Sequence, residues 1–327
     1  MKRVSWTKVM AAGMVALFAL APAVQAQTAL KASHSARADE PYGKALEEFA
    51  NILKDKTGGK FALQVFPNSQ LGQERDVIEG ILLGTVDLAC PANAVLTNFV
   101  PRLVLFDMPF VFRDRAHMYK VLDGPVGDAL GDAARERGFR VLGYYEAGVR
   151  HIMTRGKPIN SLEDLKGLKI RTMQNQAHLE AFKAFGANAT ALAYGELYGA
   201  LQSGVMDGAE AANTNYEAQK FYEVAPNWAM VGWTTLVSPL IMSERKFQSM
   251  PQDVRNVLIE AGRASTNLER KLYAAGEDER LAMVKAKGVR VTTPDPKPFQ
   301  AASKSVYDQF IKTPEDQKLL KMAIETN

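Results

Sequence analysis

Between residues 251 and 287, Val254, Val257, Leu258, Ala261, Leu268, Leu272, Ala275, Leu281 and Val284 stay on one helical stripe. As a single helix the segment is roughly 55 Å long at ~1.5 Å per residue, against the ~30 Å of a small domain. A chain that carries it must lay it across two globular units or break it. Gly262 and Gly276 mark where a break would fall, because a glycine inside a helix costs about 1 kcal/mol relative to alanine.

The rest of the chain supplies two such units. TALKASHSA reads as a strand, PYGKALEEFANILKDKTGG as a helix with Ala45, Leu46, Phe49, Ile52 and Leu53 on one face, and FALQVFP as a strand. The helix ERDVIEGILLG and the strand TVDLAC follow. This β-α-β-α-β order predicts a mostly parallel sheet covered by helices. After a strand over 140–145, SLEDLKGLKIRT opens a second unit: a short helix with Ser161 and Asp164 as a capping pair, then a strand. The helix QAHLEAFKAF and the run GELYGALQSGVMDGAE complete it. ILLGTVDLA and ALQSGVMDGA share one punctuation, a helix, a glycine, any residue, an apolar residue and an aspartate. The glycine suits a left-handed helix stop. Two similar α/β domains are therefore expected.

A chain of 327 residues, 47% hydrophobic and 23% charged, can bury two cores and is neither fibrous nor disordered. Its first 26 residues read differently. Lys2, Arg3 and Lys8 precede an apolar run over 9–20, then Pro22 and Val24-Gln25-Ala26, the form of a secretory signal peptide cleaved near Ala26. The run is short for a span, which needs ~20 apolar residues. Removing its three basic residues leaves 37 Lys and Arg against 36 Asp and Glu, so the net charge falls from +4 to +1. No basic run interleaved with aromatics suggests a nucleic-acid partner. Cys90 is the only cysteine, which excludes an intrachain disulfide and reads as a buried thiol.

Catalytic signatures are missing. There is no G-x-S-x-G, no G-x-x-x-x-G-K-S/T, no G-x-G-x-x-G and no H-E-x-x-H. His34, His117, His151 and His178 are scattered, so neither a metal site nor a cofactor is expected. Asp207 and Glu210 form the one acidic pair an exported hydrolase could use; their other reading is a turn aspartate and a cleft glutamate.

One charge stands out. Leu168, Ile170 and Thr172 alternate with Lys169, Arg171 and Met173, and the guanidinium lies at the exit end of that strand. Ligands of open α/β sheets bind beyond such ends, and the helix expected to start near Gln176 favours anions at its first turn. A planar fork of N–H donors matches a carboxylate. Arg150, in GYYEAGVRHIM, either shares the anion or supports Arg171. Additional lining residues are His34, Asn93, Tyr145, Met173, Tyr194 and Trp233, while His178 is expected to be exposed.

FPNSQLGQERDVIEGILLGTVDLA, FDMPFVFRD, GVR, DLKGLKIRTM, AYGELYGALQSGVMDGAE and KFYEVA stand in this order along the chain. In them the chain resembles the solute-binding proteins of tripartite ATP-independent periplasmic (TRAP) transporters. The resemblance implies two α/β lobes around a ligand cleft, with hinges and a long helix spanning both. The lobes would comprise 27–148 with 240–276, and 149–239 with 277–327. It implies a periplasmic receptor, not an enzyme, that passes a small organic acid to membrane permease subunits. Arg171 would clamp the ligand carboxylate, Arg150 assist and Glu74 face ligand hydroxyls or organise the pocket. Many relatives place an asparagine directly after the glutamate of the Asp-Gly step; here Glu210-Ala211-Ala212 precedes Asn213 and Asn215, either of which could take that place. Glu74, Asn213 and Asn215 favour a hydroxylated sugar acid. A C4-dicarboxylate using Arg150 for its second carboxylate, or an aromatic or keto acid, are the alternatives.

Overall fold

The structure is a computed structural model that describes residues 27–327; the expected leader lies outside the described residues. Nine strands occur in it: β1 (Thr28–Ser33), β2 (Phe61–Phe66), β3 (Leu88–Ala89), β4 (Phe139–Thr154), β5 (Lys169–Thr172), β6 (Asn188–Ala191), β7 (Gly208–Ala211), β8 (Asn227–Ser243) and β9 (Arg290–Thr292). Their order is β2-β1-β3-β8-β4-β7-β5-β6, with β9 on β8. Parallel pairing is confined mainly to two wings, β1 with β2 and β3, and β5 with β6 and β7. The centre is antiparallel, β8 with β3 and β4, and β4 with β7. The wings are the two expected α/β units, and the expectation of a mostly parallel sheet holds for them alone.

The repeated punctuation does the same work in both wings. Gly84 and Gly204 end their helices in the left-handed region, at φ 84° and 80°. The aspartate three residues on then accepts a backbone N–H of a neighbouring strand: Asp87 from Lys31 within β1 and Asp207 from Lys169 at the start of β5, each at 2.8 Å. Asp207 is thus a strand-starting residue.

β4 and β8 run through both wings, far beyond the strand expected over 140–145. Their register slips between Glu146 and Val149, where Gly148 adopts φ 82°. That irregularity lies where β4 passes from the first wing to the second. The long helix Gln252–Ala286 is unbroken over 35 residues, about 52 Å at the usual rise. It packs on the helix Pro41–Lys56 in the first wing and the helix Asn213–Ala218 in the second. It also grips β4 beside the slip: Glu269 accepts the Glu146 N–H at 2.9 Å and Arg270 Nε donates to the Tyr144 carbonyl at 3.0 Å. Gly262 is a close-approach point rather than a kink, since a Cβ there would lie 2.5 Å from the Leu142 carbonyl oxygen. Gly276 faces open space.

The last helices touch both units, Lys304–Phe310 packing on Gln176–Ala184 and Pro314–Glu325 on Pro125–Glu136. Cys90 is buried and free. Among the described residues no helix is long and apolar enough to cross a membrane.

Candidate ligand site

Arg171 is buried on β5, and so are Ile170 and Thr172 on the opposite face, so the strand is covered on both sides. Its guanidinium is 2% exposed. Nε and Nη2 both donate to the Leu192 carbonyl, at 3.0 and 2.7 Å, which fixes the plane of the group. The other edge is open. Nη1 has no hydrogen-bond partner among the described residues and stands 3.6 Å from Glu210 Oε1. Nη2 keeps a second proton on that same side. Burial lowers the pKa of Arg171 against the pull of Glu210, and Arg150 lowers it further.

Arg150 differs sharply. Nε donates to Glu210 Oε2 at 2.7 Å, Nη2 to the Glu210 carbonyl at 3.3 Å, and Nη1 to the Ala147 carbonyl and Asn215 Oδ1 at 3.3 and 3.2 Å. It is a braced, paired cation. Burial opposes the charge on Glu210, yet Arg150 and Arg171 hold its carboxyl below the usual range. Two buried arginines therefore share one carboxylate; every guanidinium nitrogen of Arg150 has a protein acceptor, whereas Nη1 of Arg171 has none among the described residues.

Glu74, at the first turn of the helix Glu74–Leu83, accepts the Ala92 N–H at 3.0 Å and the Ser35 hydroxyl at 3.3 Å. Burial pushes its carboxyl up, while the Ala92 N–H and the charges of Arg171 and Arg150 pull it down. Tyr194 lies in the field of the same three residues, and its buried hydroxyl has no partner among the described residues. Arg171, Arg150, Glu210, Glu74, Tyr194 and Asn215 are thus one cluster drawn from both wings. His34 and Glu74 line one adjoining cavity.

The other residues singled out by sequence have the following surroundings. Asn93 donates to the Leu103 carbonyl at 2.9 Å. Tyr145 packs beside Tyr42 at 5.8 Å. Asn213 Oδ1 accepts the Trp228 indole N–H at 2.9 Å. Met173 is buried directly after β5. Trp233 joins an aromatic cluster with Phe182 and Phe185. His178, expected to be exposed, is fully buried, edge-on to Trp233 at 4.8 Å and 3.7 Å from Asp107. It occupies the inward face of the first turn of the helix Gln176–Ala184, and its N–H is capped by Asn175 Oδ1 at 2.9 Å. One N–H of that first turn is thereby capped by the protein itself. Ser33, Ser35 and the Leu192 carbonyl carried no sequence signal.

A family model described as bacterial extracellular solute-binding protein, family 7, matches residues 32–313. The chain belongs to this family. Its members include solute receptors of TRAP transporters, in agreement with the motif resemblance. The chain is 33% identical over 284 residues to the 2,3-diketo-L-gulonate-binding periplasmic protein of Escherichia coli strain K12, covering 86% of this chain and 87% of that one. A TRAP periplasmic solute-binding protein from Xanthobacter autotrophicus Py2, solved with bound β-D-galacturonate, superposes with a TM-score of 0.89 at 35% identity, over 91% of this chain and all of that one. Another, from Sulfurospirillum deleyianum with bound succinate, gives 0.86 at 36% identity, over 92% and 100%. These likenesses extend to the two-domain architecture, and the family's role is solute binding.

Proposed function

We propose that this protein is a periplasmic receptor that captures a hydroxylated monocarboxylate, a sugar acid, between its two lobes and delivers it to a TRAP permease. The observation that carries this reading is the open edge of the Arg171 guanidinium, buried beside a single carboxylate that Arg150 already engages. Leaving buried charged donors unmade costs about 1–3 kcal/mol or more. A ligand carboxylate on Nη1 and Nη2 recovers that cost with two charge-assisted bonds.

Capture needs no bond making. The cluster draws Glu74 from the first wing and Arg171, Tyr194 and Glu210 from the second, so a ligand touching both favours the closed arrangement. The lobes are assigned as 27–148 with 240–276 and 149–239 with 277–327, hinged where β4 and β8 cross. Glu210 is an arginine partner with a depressed pKa and Asp207 a strand-starting acceptor, so neither is poised as a general acid or base. Relatives that bind galacturonate and diketogulonate support a sugar acid. The succinate-binding relative keeps a dicarboxylate in view, but Arg150, the cation a second carboxylate would need, has its donors on protein acceptors.

A thermal-shift screen of organic acids, followed by mass spectrometry of the recovered ligand, tests the reading. Stabilisation by a sugar acid returned unchanged is expected; a ligand at 100 times its Kd adds about 2.7 kcal/mol. Conversion of the acid, or no stabilisation by any carboxylate, contradicts it.

A further inference from the structure

We propose that Arg37, Gln73 and Asn98 are positioning residues that hold the two lobes shut over the ligand from outside the ligand cluster, and so set how long a captured acid stays. The inference rests on the receptor reading above and deepens it.

The two wings meet exit to exit. Arg171 lies on β5 and Glu210 on β7, while Glu74 follows β2 and Tyr194 follows β6, so the cluster stands where the wing strands release the chain. One hydrogen bond joins each of three pairs of exits. After β1, Arg37 Nη1 donates to the Ala218 carbonyl beyond β7 at 3.4 Å. After β2, Gln73 Oε1 accepts the Gly195 N–H beyond β6 at 3.3 Å. After β3, Asn98 Nδ2 donates to the Gln174 carbonyl beyond β5 at 2.6 Å. In all three a first-wing side chain meets second-wing backbone. The third pair of exits is also joined in the interior, where Asn175 Nδ2 donates to the Ala94 carbonyl at 2.9 Å and to Asp107 Oδ2 at 3.1 Å.

Each of these side chains is aimed by its own wing. Asp39 takes Nε and Nη2 of Arg37 at 2.9 and 2.7 Å, which leaves Nη1 to reach across. Ala218 ends the helix Asn213–Ala218, and the last carbonyls of a helix lack helical partners. The second proton of Asn98 Nδ2 is spent on the Val95 carbonyl at 3.0 Å. Gly195 lets the wings come this close, since a Cβ there would lie 2.7 Å from Gln73 Nε2. None of the three side chains belongs to the ligand cluster. A captured acid leaves only after the exits part, so loss of a cross-bond shows in the rate of release more than in the rate of capture.

Stopped-flow kinetics with galacturonate tests this. Gln73→Ala, Asn98→Ala and Arg37→Ala should each raise the off-rate about 2- to 10-fold, the net worth of one hydrogen bond, with the on-rate changed less than about twofold in the two variants that keep the charge of the protein. Gly195→Ala displaces the end of Gln73 and should match Gln73→Ala, and the double variant should be no faster than either, because both remove one bond. Donor direction gives a further check: Gln73→Glu keeps an acceptor for the Gly195 N–H and should release ligand more slowly than Gln73→Ala, whereas Asn98→Asp sets an acceptor against the Gln174 carbonyl and should release it at least as fast as Asn98→Ala. Wild-type off-rates in all three alanine variants, or additive effects of Gln73→Ala and Gly195→Ala, overturn the inference and leave the receptor reading intact. Should galacturonate not bind the wild-type protein, the sugar-acid reading falls and succinate becomes the probe of the same variants; binding of neither acid removes the receptor reading and this inference with it.

Discussion

Arg171→Ala separates what the guanidinium does for the fold from what it does for the ligand, because the two effects have opposite sign. In the free protein Arg171 has one acceptor, the Leu192 carbonyl, and a loose 3.6 Å approach to Glu210. Burial depresses its pKa, so the folded chain bears a charge it does not fully compensate. Truncation removes that burden, and Glu210 keeps its 2.7 Å bond to Arg150. The melting temperature without ligand is therefore expected to be unchanged or higher. Binding should suffer. Two charge-assisted hydrogen bonds are worth ~1.5–3 kcal/mol each, and truncating one member of a buried charge pair costs ~2–5 kcal/mol, or roughly 30- to several-thousand-fold in Kd. Arg171→Lys keeps the charge but neither the Leu192 anchor nor the paired fork, and should lose at least about tenfold. Calorimetry with a sugar acid, alongside circular dichroism and thermal melts, reads all three. A folded variant of either kind with Kd within about threefold of wild type refutes the clamp.

Two glycines in the long helix should respond in opposite directions. Gly276→Ala, in open space, is expected to stabilise by about 0.5–1 kcal/mol through helix propensity, and Gly262→Ala to destabilise because its Cβ would press on the Leu142 carbonyl oxygen; equal effects in denaturant melts would contradict the close-approach reading. Burial raises the Glu269 pKa well above its ordinary value, with the neighbouring Glu146 charge raising it and the Glu146 N–H opposing. The folded chain thus holds this proton more tightly than the unfolded chain. The contribution of Glu269 to stability is greatest below its unfolded pKa of ~4.3 and declines as pH rises toward the folded value. Glu269→Gln should match wild type near pH 4.5 and exceed it by a margin that grows at higher pH; a margin independent of pH would rule this out.

Much of this was legible because it was local. The apolar stripe over 251–287, the β-α-β wings and the Gly-x-apolar-Asp junctions are short-range patterns, and each appears where expected. Arg171 was legible because a charge at a strand exit conflicts with its buried neighbours. The central strands were not. β4 and β8 are buried on both faces and interrupted by Gly143, Gly148 and Gly232, so they lack the period-2 alternation that marks a half-exposed strand. Long-range partners were equally hidden. Arg150 and Glu210 are 60 residues apart, and Glu269 meets the Glu146 N–H across 123, so the sequence alone left Arg150 between clamp and brace. His178 was misread because a histidine reads as polar, although it stands four residues before Phe182 on the buried face of its helix.

A crystal structure of the protein with galacturonate tests the central claim most directly. Both carboxylate oxygens are expected at about 2.7–2.9 Å from Nη1 and Nη2 of Arg171, with Nε still on the Leu192 carbonyl and Arg150 still on Glu210. A ligand whose acid group is held elsewhere, with Nη1 of Arg171 turned to water, contradicts it.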